Sequence, residues 1–204
     1  DSGIDGDKRW IVKLDSLGNI VNEKFYSGVD DLFTFGGDQI FQMNNKFYVI
    51  GAGNPSSTLF PETIGFGGTY DGAIATYNDN LEFINLRLFG GESTDFLKRS
   101  VVDAFGNIYF LGVSKSLTGN LNDNYNNGET LDYWLFATDS NFNPLWSKNF
   151  GGSDPCGDLG CSNFSGNLVL KDNMLYAFIK NVVPETLPDY DIECGTLGVG
   201  NTDA

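Results

Sequence analysis

Three stretches set one above another decide the architecture: WIVKLDSLGNIVNEKFYSG at 10–28, AIATYNDNLEFINLRLFGG at 73–91 and WLFATDSNFNPLWSKNFGG at 134–152. They align without a gap, at offsets of 63 residues (Trp10 to Ala73) and 61 residues (Ala73 to Trp134). Asp15, Asn78 and Asp139 coincide at a turn, and Tyr26, Phe89 and Phe150 coincide ahead of Gly28, Gly91 and Gly152. Self-similarity at a fixed period is the mark of a repeat architecture, and it outranks any local propensity.

A second block recurs between these copies. FQMNNKFYVIGAG at 41–53 matches VVDAFGNIYFLGV at 101–113, and LVLKDNMLYAFIK at 168–180 follows the same plan, with Tyr48, Tyr109 and Tyr176 shared. Asp71, Asp132 and Asp203 each precede the position of the first block. The apolar runs are short and rich in β-branched and aromatic residues: WIVKLD at 10–15, KFYVIGAG at 46–53, GAIATY at 72–77, NIYFLGV at 107–113, YWLFATD at 133–139 and NMLYAFIK at 173–180. Turn residues bound each of them. Asp15-Ser-Leu-Gly18-Asn19 and Asp103-Ala-Phe-Gly106-Asn107 are one turn used twice, and Asn44-Asn45 and Asp172-Asn173 are tighter versions. No segment holds an apolar stripe of 3.6-residue period over three turns, so the chain reads as all-β.

Each period of about 61 to 71 residues holds two hairpins, and four antiparallel strands per repeat form the blade of a β-propeller. One such sheet cannot bury both faces alone, and stacking blades buries a continuous core. The divisions expected are an outer half-blade at 1–28, blades at 38–91 and 95–152, and the start of a further blade at 165–204. Propellers close with about four to eight blades, so this segment makes an incomplete ring. The expectation is that further blades belong to the same protein or come from another chain; an open stack capped by a partner is the alternative. A β-sandwich competes less well, because it has no such internal period.

VVDAFGNIYFLG at 101–112 resembles the core of the bacterial SBBP-type β-propeller repeats. DYWLFATDSNFNPLWSKNFGG at 132–152 resembles the companion hairpin of repeats in large bacterial surface proteins exported by the type IX route. The resemblance implies a propeller and an extracellular or cell-surface setting, and it is poor in functional detail. It also makes Asp15-Ser16-Leu17 similar to the O-glycosylation acceptor of such surface proteins, in a turn where Asp-Ser is expected anyway.

Composition excludes several functions. The 204 residues carry 12 Lys+Arg against 27 Asp+Glu, a formal net charge of −15. Such a polyanion has few cations with which to displace counterions from nucleic acid, and it is not drawn to an anionic membrane face. No apolar window is long enough for a transmembrane helix, so no membrane insertion is expected. With no histidine, Ser–His and Cys–His catalytic pairs and imidazole zinc sites are excluded. Three cysteines cannot close a four-thiolate zinc site. Cys156 and Cys161 share a Gly- and Asp-rich loop, where they either form a local disulfide, as in an oxidising compartment, or remain free thiols. Cys194 is left over, to pair with one of these or outside the chain.

Candidate sites are few. Phe35-Gly36-Gly37, Phe66-Gly67-Gly68, Phe89-Gly90-Gly91 and Phe150-Gly151-Gly152 lack the Lys-Ser/Thr of a phosphate loop. An aromatic packed between blades, with glycines letting the chain leave the outer strand, accounts for them. The acidic runs Asp1, Asp5 and Asp7, then Asp30 and Asp31, then Asp189, Asp191 and Glu193 read first as solvated loop charge. The best calcium candidate is Asn122, Asp123 and Asn124, in a long, oxygen-rich loop at 120–132; no other cofactor is indicated. The expected inner strands carry Gln39, Gln42, Lys98, Arg99, Asp103, Asn167 and Lys171, without the facing carboxylates of a glycosidase. A sugar-stacking platform would use Phe60, Phe66 or Tyr125.

The expected function is therefore a non-catalytic recognition or scaffold module of a secreted or cell-surface bacterial protein, contacting a protein or glycan through loops at 54–70, 115–132 and 153–166. The alternatives are an accessory domain of a secreted carbohydrate-active enzyme or peptidase, and a subunit of an outer-membrane export, import or gliding complex. Fold analogy does not choose among them.

Overall fold

The computed structural model describes residues 9–26, 35–54, 68–119, 131–150 and 166–179. Twelve strands lie in these segments, and there is no helix among the described residues. They are β1 Arg9–Leu14, β2 Ile20–Tyr26, β3 Phe35–Met43, β4 Lys46–Gly53, β5 Asp71–Tyr77, β6 Phe83–Phe89, β7 Asp95–Val102, β8 Ile108–Ser114, β9 Asp132–Thr138, β10 Pro144–Phe150, β11 Gly166–Lys171 and β12 Met174–Ile179. All pairings are antiparallel between sequence neighbours. The sheets are β1–β2, β3–β4–β5–β6, β7–β8–β9–β10 and β11–β12.

The turns follow from a few side chains. Asp15, Asn78, Asp103 and Asp139 each accept, through the carbonyl, the N–H of the residue three further on. That residue is left-handed in every case: Gly18, Leu81, Gly106 and Phe142, with φ of 84°, 63°, 87° and 68°. This is the three-residue hairpin loop built on a type I turn. The side-chain Oδ1 of the first residue accepts two more backbone N–H groups, as in Leu17 and Asn19 on Asp15. The polarity can be inverted: Asn19 Nδ2 donates to the Asp15 carboxylate, whereas Asn78 Nδ2 donates to Glu82. Asn44-Asn45 and Asp172-Asn173 have positive φ at both residues, the type I′ geometry of a two-residue hairpin.

Strand alternation sends one set of side chains to each neighbouring sheet. Ile11 and Tyr26 pack with Ala73, Ala75, Tyr77, Leu86 and Leu88 of the β3–β6 sheet. The other face of that sheet, with Tyr48, Ile50, Ile74 and Phe89, packs on Leu97, Phe110, Trp134 and Phe136 of β7–β10. The far face of β7–β10, with Leu111, Val113, Tyr133 and Leu135, receives Leu168, Leu175 and Ile179. Polar ties reinforce the seams. Gln39 Nε2 donates to the Ser100 carbonyl while Ser100 N–H donates to Gln39 Oε1, so one amide joins β3 to β7 as a strand would.

The turn of each outer hairpin leans on the preceding sheet. Lys13 pairs with Asp79 at 2.8 Å, Asn22 Nδ2 donates to the Asn80 carbonyl, and the Tyr26 hydroxyl donates to that of Leu81. One repeat later the Phe142 ring sits 5.3 Å from the Tyr48 ring and 4.8 Å from the Arg87 guanidinium. Leu81 and Phe142 are both buried. Bulky residues thus tolerate a left-handed backbone because their side chains enter the neighbouring sheet.

Candidate functional site

Among the described residues, a buried polar cluster lies where the chain leaves β6, turns into β7 and is crossed by the segment after β8. Asp71, Asp95, Ser114 and Ser116 have no exposed surface. Asp95 Oδ2 accepts from the Gly91 N–H and the Ser116 hydroxyl, each at 2.8 Å. Ser93 N–H donates to Ser116 Oγ. Glu92 receives the N–H groups of Leu117 and Thr118 and the Thr118 hydroxyl. Burial works against ionisation of Glu92, yet these bonds outweigh it and hold its carboxyl below the usual range.

The glycine pair after Phe89 is dictated by this crossing. A Cβ on Gly91 would lie 2.0 Å from the Thr118 carbonyl oxygen, and one on Gly119 would lie 2.0 Å from that of Gly90. Gly90 has φ of 157° and looks onto two carboxylates, its Cβ position being 2.3 Å from Asp95 Oδ2 and 3.0 Å from Asp71 Oδ1. Close approach of backbone to backbone, more than departure from the outer strand, is what requires glycine here. Phe89 itself is buried between sheets, 5.4 Å from the Phe136 ring.

Burial pushes the Asp95 carboxyl up, although Ser114, Gly91 and Ser116 all donate to it. An acid whose folded-state pKa is raised contributes its stability fully below the unfolded value near 3.8, and that contribution is lost as pH rises. Asp95→Asn keeps the shape and removes the charge. The variant should be more stable than the parent at neutral pH in urea unfolding, and the gap should close as pH falls into the acid range. A variant less stable at neutral pH would show that the ionised carboxylate is the favoured form. Asp15 and Asp139 behave oppositely: the side-chain hydrogen bonds from Asn19 and Asn143 hold them low.

This cluster is a lock between loops. Ser116 donates to a carboxylate as a nucleophilic serine would to its base, but both groups are sealed from solvent. Asp103, among the expected inner-strand residues, caps its own turn through bonds from Phe105, Asn107 and Tyr109. Arg99 donates to the Lys98 carbonyl. The repeat singled out Asp71, Asp132 and Asp203, the last outside the described residues, but gave no sign of Asp95 and Ser116. The calcium candidate Asn122, Asp123 and Asn124, the cysteines Cys156, Cys161 and Cys194, the aromatics Phe60, Phe66 and Tyr125, and the acidic runs of both termini and of Asp30–Asp31 lie outside the described residues. Among the described residues, no group of three or more His, Cys, Asp or Glu is placed to hold a metal ion, and no helix is long and apolar enough to cross a membrane.

Each end of the stack carries an exposed aromatic face. On β1–β2, the face away from the β3–β6 sheet carries Trp10 and Phe25, stacked with ring centroids 6.0 Å apart and 54% and 63% exposed. On β11–β12, the face away from β7–β10 carries Val169, Tyr176 and Phe178, the last 70% exposed. Among the described residues, β1 and β12 each have one edge without a strand neighbour. Tyr109 on β8 and Trp146 on the edge strand β10 lie 6.1 Å apart across β9, and Trp146 is partly exposed. No protein-family model matches the chain, and no curated protein is similar to it.

Proposed function

We propose that the chain is a β-propeller segment acting as a non-catalytic recognition or scaffold module of a secreted or cell-surface bacterial protein. The observation that carries this reading is the pair of exposed aromatic faces at the ends of the stack, Trp10 with Phe25 and Tyr176 with Phe178. Contiguous apolar surface with an open strand edge is the signature of a contact surface. The successive sheets support the propeller itself: each four-stranded sheet meets the sheet before it in the same way, with a turn residue, Leu81 or Phe142, buried at the seam. The net charge of −15 suits a solvated extracellular module.

Hydroxyl-radical footprinting tests the reading, applied to intact bacteria bearing the protein and to the purified chain at high dilution. Trp10, Phe25, Tyr176 and Phe178 should be protected on the cell and reactive in the dilute protein. Equal reactivity in both settings would overturn the scaffold reading. Turnover of a glycan or peptide by the purified chain would overturn its non-catalytic part.

A further inference from the structure

We propose that Asp71 and Asp95 share one proton, and that this proton latches the segment after β8 across the β6–β7 turn, so that the crossing is closed in mildly acidic solution and opens in alkali. The two carboxyls come from successive sheets, Asp71 from the start of β5 and Asp95 from the start of β7. Neither has exposed surface. They meet at Gly90: Asp95 Oδ2 and Asp71 Oδ1 both lie within 3.0 Å of the point that a Cβ on that residue would take. The Asp95 N–H donates to the Tyr70 carbonyl at 2.8 Å, which fixes the approach. Asp95 Oδ1 is buried and accepts no hydrogen bond. A carboxylate oxygen sealed from water without a donor is costly, and a proton on the pair removes that cost.

The surroundings add like charge. Ser114 pairs with Asp95 on one side and with Asp132 on the other, so a third acid lies on the same face of β7–β10, two strands or about 10 Å away. Glu92, on the β6–β7 turn, also disfavours ionisation of Asp95. The cations of the neighbouring elements are engaged away from the pair. Lys98 is on the face of β7 opposite Asp95, its ammonium 5.5 Å from the Phe96 ring centroid. Arg99 donates to the Lys98 carbonyl, and Arg87 of β6 lies over the Phe142 ring. Lys115 is partly exposed and donates its backbone N–H to the Thr94 carbonyl. The Tyr70 ring packs on Phe96. Two acids held together out of water ionise one at a time.

A proton or a metal cation could balance the pair, and the hydrogen bonds select the proton. Ser116 Oγ donates to Asp95 Oδ2 while accepting the Ser93 N–H, and Ser114 Oγ accepts the Ser116 N–H. Calcium needs about six to eight oxygens, and these are already engaged by backbone donors. The same atoms form the latch. Asp95 Oδ2 holds Gly91 and Ser116 together, Glu92 takes the N–H groups of Leu117 and Thr118, and Gly119 lies against the Gly90 carbonyl. A group whose folded-state pKa is raised contributes stability below its unfolded value and loses it as pH rises. Loss of the proton sets two buried charges against each other and frees the crossing.

Amide hydrogen exchange in the full 204-residue chain tests this, with each rate corrected for the intrinsic rate at that pH. From mildly acidic to mildly alkaline solution the amides of Ser116, Leu117 and Thr118 should lose about tenfold in protection, the factor given by one pKa unit of coupling. Those of Phe110 and Phe136 should keep theirs, which separates a local opening from loss of the fold. Asp95→Asn and Asp71→Asn should each flatten the dependence at Ser116. Carbon-13 NMR of the aspartate carboxyls reads the proton itself: Asp95 should titrate above the ordinary carboxylate range, and Asp71→Asn should bring its midpoint down. A midpoint unmoved by Asp71→Asn would overturn the shared proton and leave burial alone as the cause. Protection that falls equally at Phe110 would overturn the latch. Added calcium that restores alkaline protection in the parent would put a metal ion in the proton's place and overturn the proposal.

Discussion

Trp134→Ala should lower unfolding free energy by about 4 kcal/mol, the range for deleting a buried Trp. Trp134 is fully buried on β9, its ring stacked on Phe136 at 4.2 Å. Phe136 in turn stacks on Phe110 at 4.7 Å, and Phe110 meets Phe41 at 6.5 Å across the seam. Truncation therefore opens a cavity between two sheets, where neither can collapse without breaking its own ladder. It also removes the indole N–H that donates to the buried Ser147 hydroxyl at 2.8 Å. Trp134→Phe separates the two losses: it keeps most of the stack and should cost only about 1–2 kcal/mol, the penalty of leaving one buried hydroxyl without its donor. Urea unfolding followed by far-ultraviolet circular dichroism reads both variants. Equal losses for Ala and Phe would mean that the hydrogen bond, and not the ring, holds the seam.

What the sequence disclosed and what it concealed divide along physical lines. Strands and turns were legible because they depend on neighbours in the chain: alternation, a capping Asp or Asn, and a residue tolerant of positive φ. The order of hairpins was legible from the repeat. The left-handed Leu81 and Phe142 were not, since neither is a residue that favours that conformation. A signal existed all the same, because the offsets that align Trp10 with Ala73 and Trp134 also align Gly18 with Leu81 and Phe142. A glycine at one copy marked the backbone of all three. The Asp95 cluster left no such trace. Its partners come from Gly91 and from Ser116, 21 residues on, and only the fold brings them together.

Phe142 offers the sharper test of how the sheets are joined, because its two roles pull in opposite directions. Its φ of 68° is unfavourable for a side chain with a Cβ, by about 1 kcal/mol relative to glycine. Its ring, packed on Tyr48 and under the Arg87 guanidinium, returns about 3 kcal/mol of burial. Phe142→Ala loses the ring and keeps the strain, so it should cost about 3 kcal/mol. Phe142→Gly loses the ring and relieves the strain, so it should be milder by several tenths to about 1 kcal/mol. Phe142→Leu, the residue used one repeat earlier, should be the mildest of the three. Glycine is normally worse than alanine within ordered structure, so an inverted order identifies a left-handed key. A double-mutant cycle of Tyr48→Ala with Phe142→Ala should return a coupling of about 1 kcal/mol. If alanine proves milder than glycine and the coupling vanishes, Phe142 is an ordinary turn residue, and the seam between the sheets is held by the strands alone.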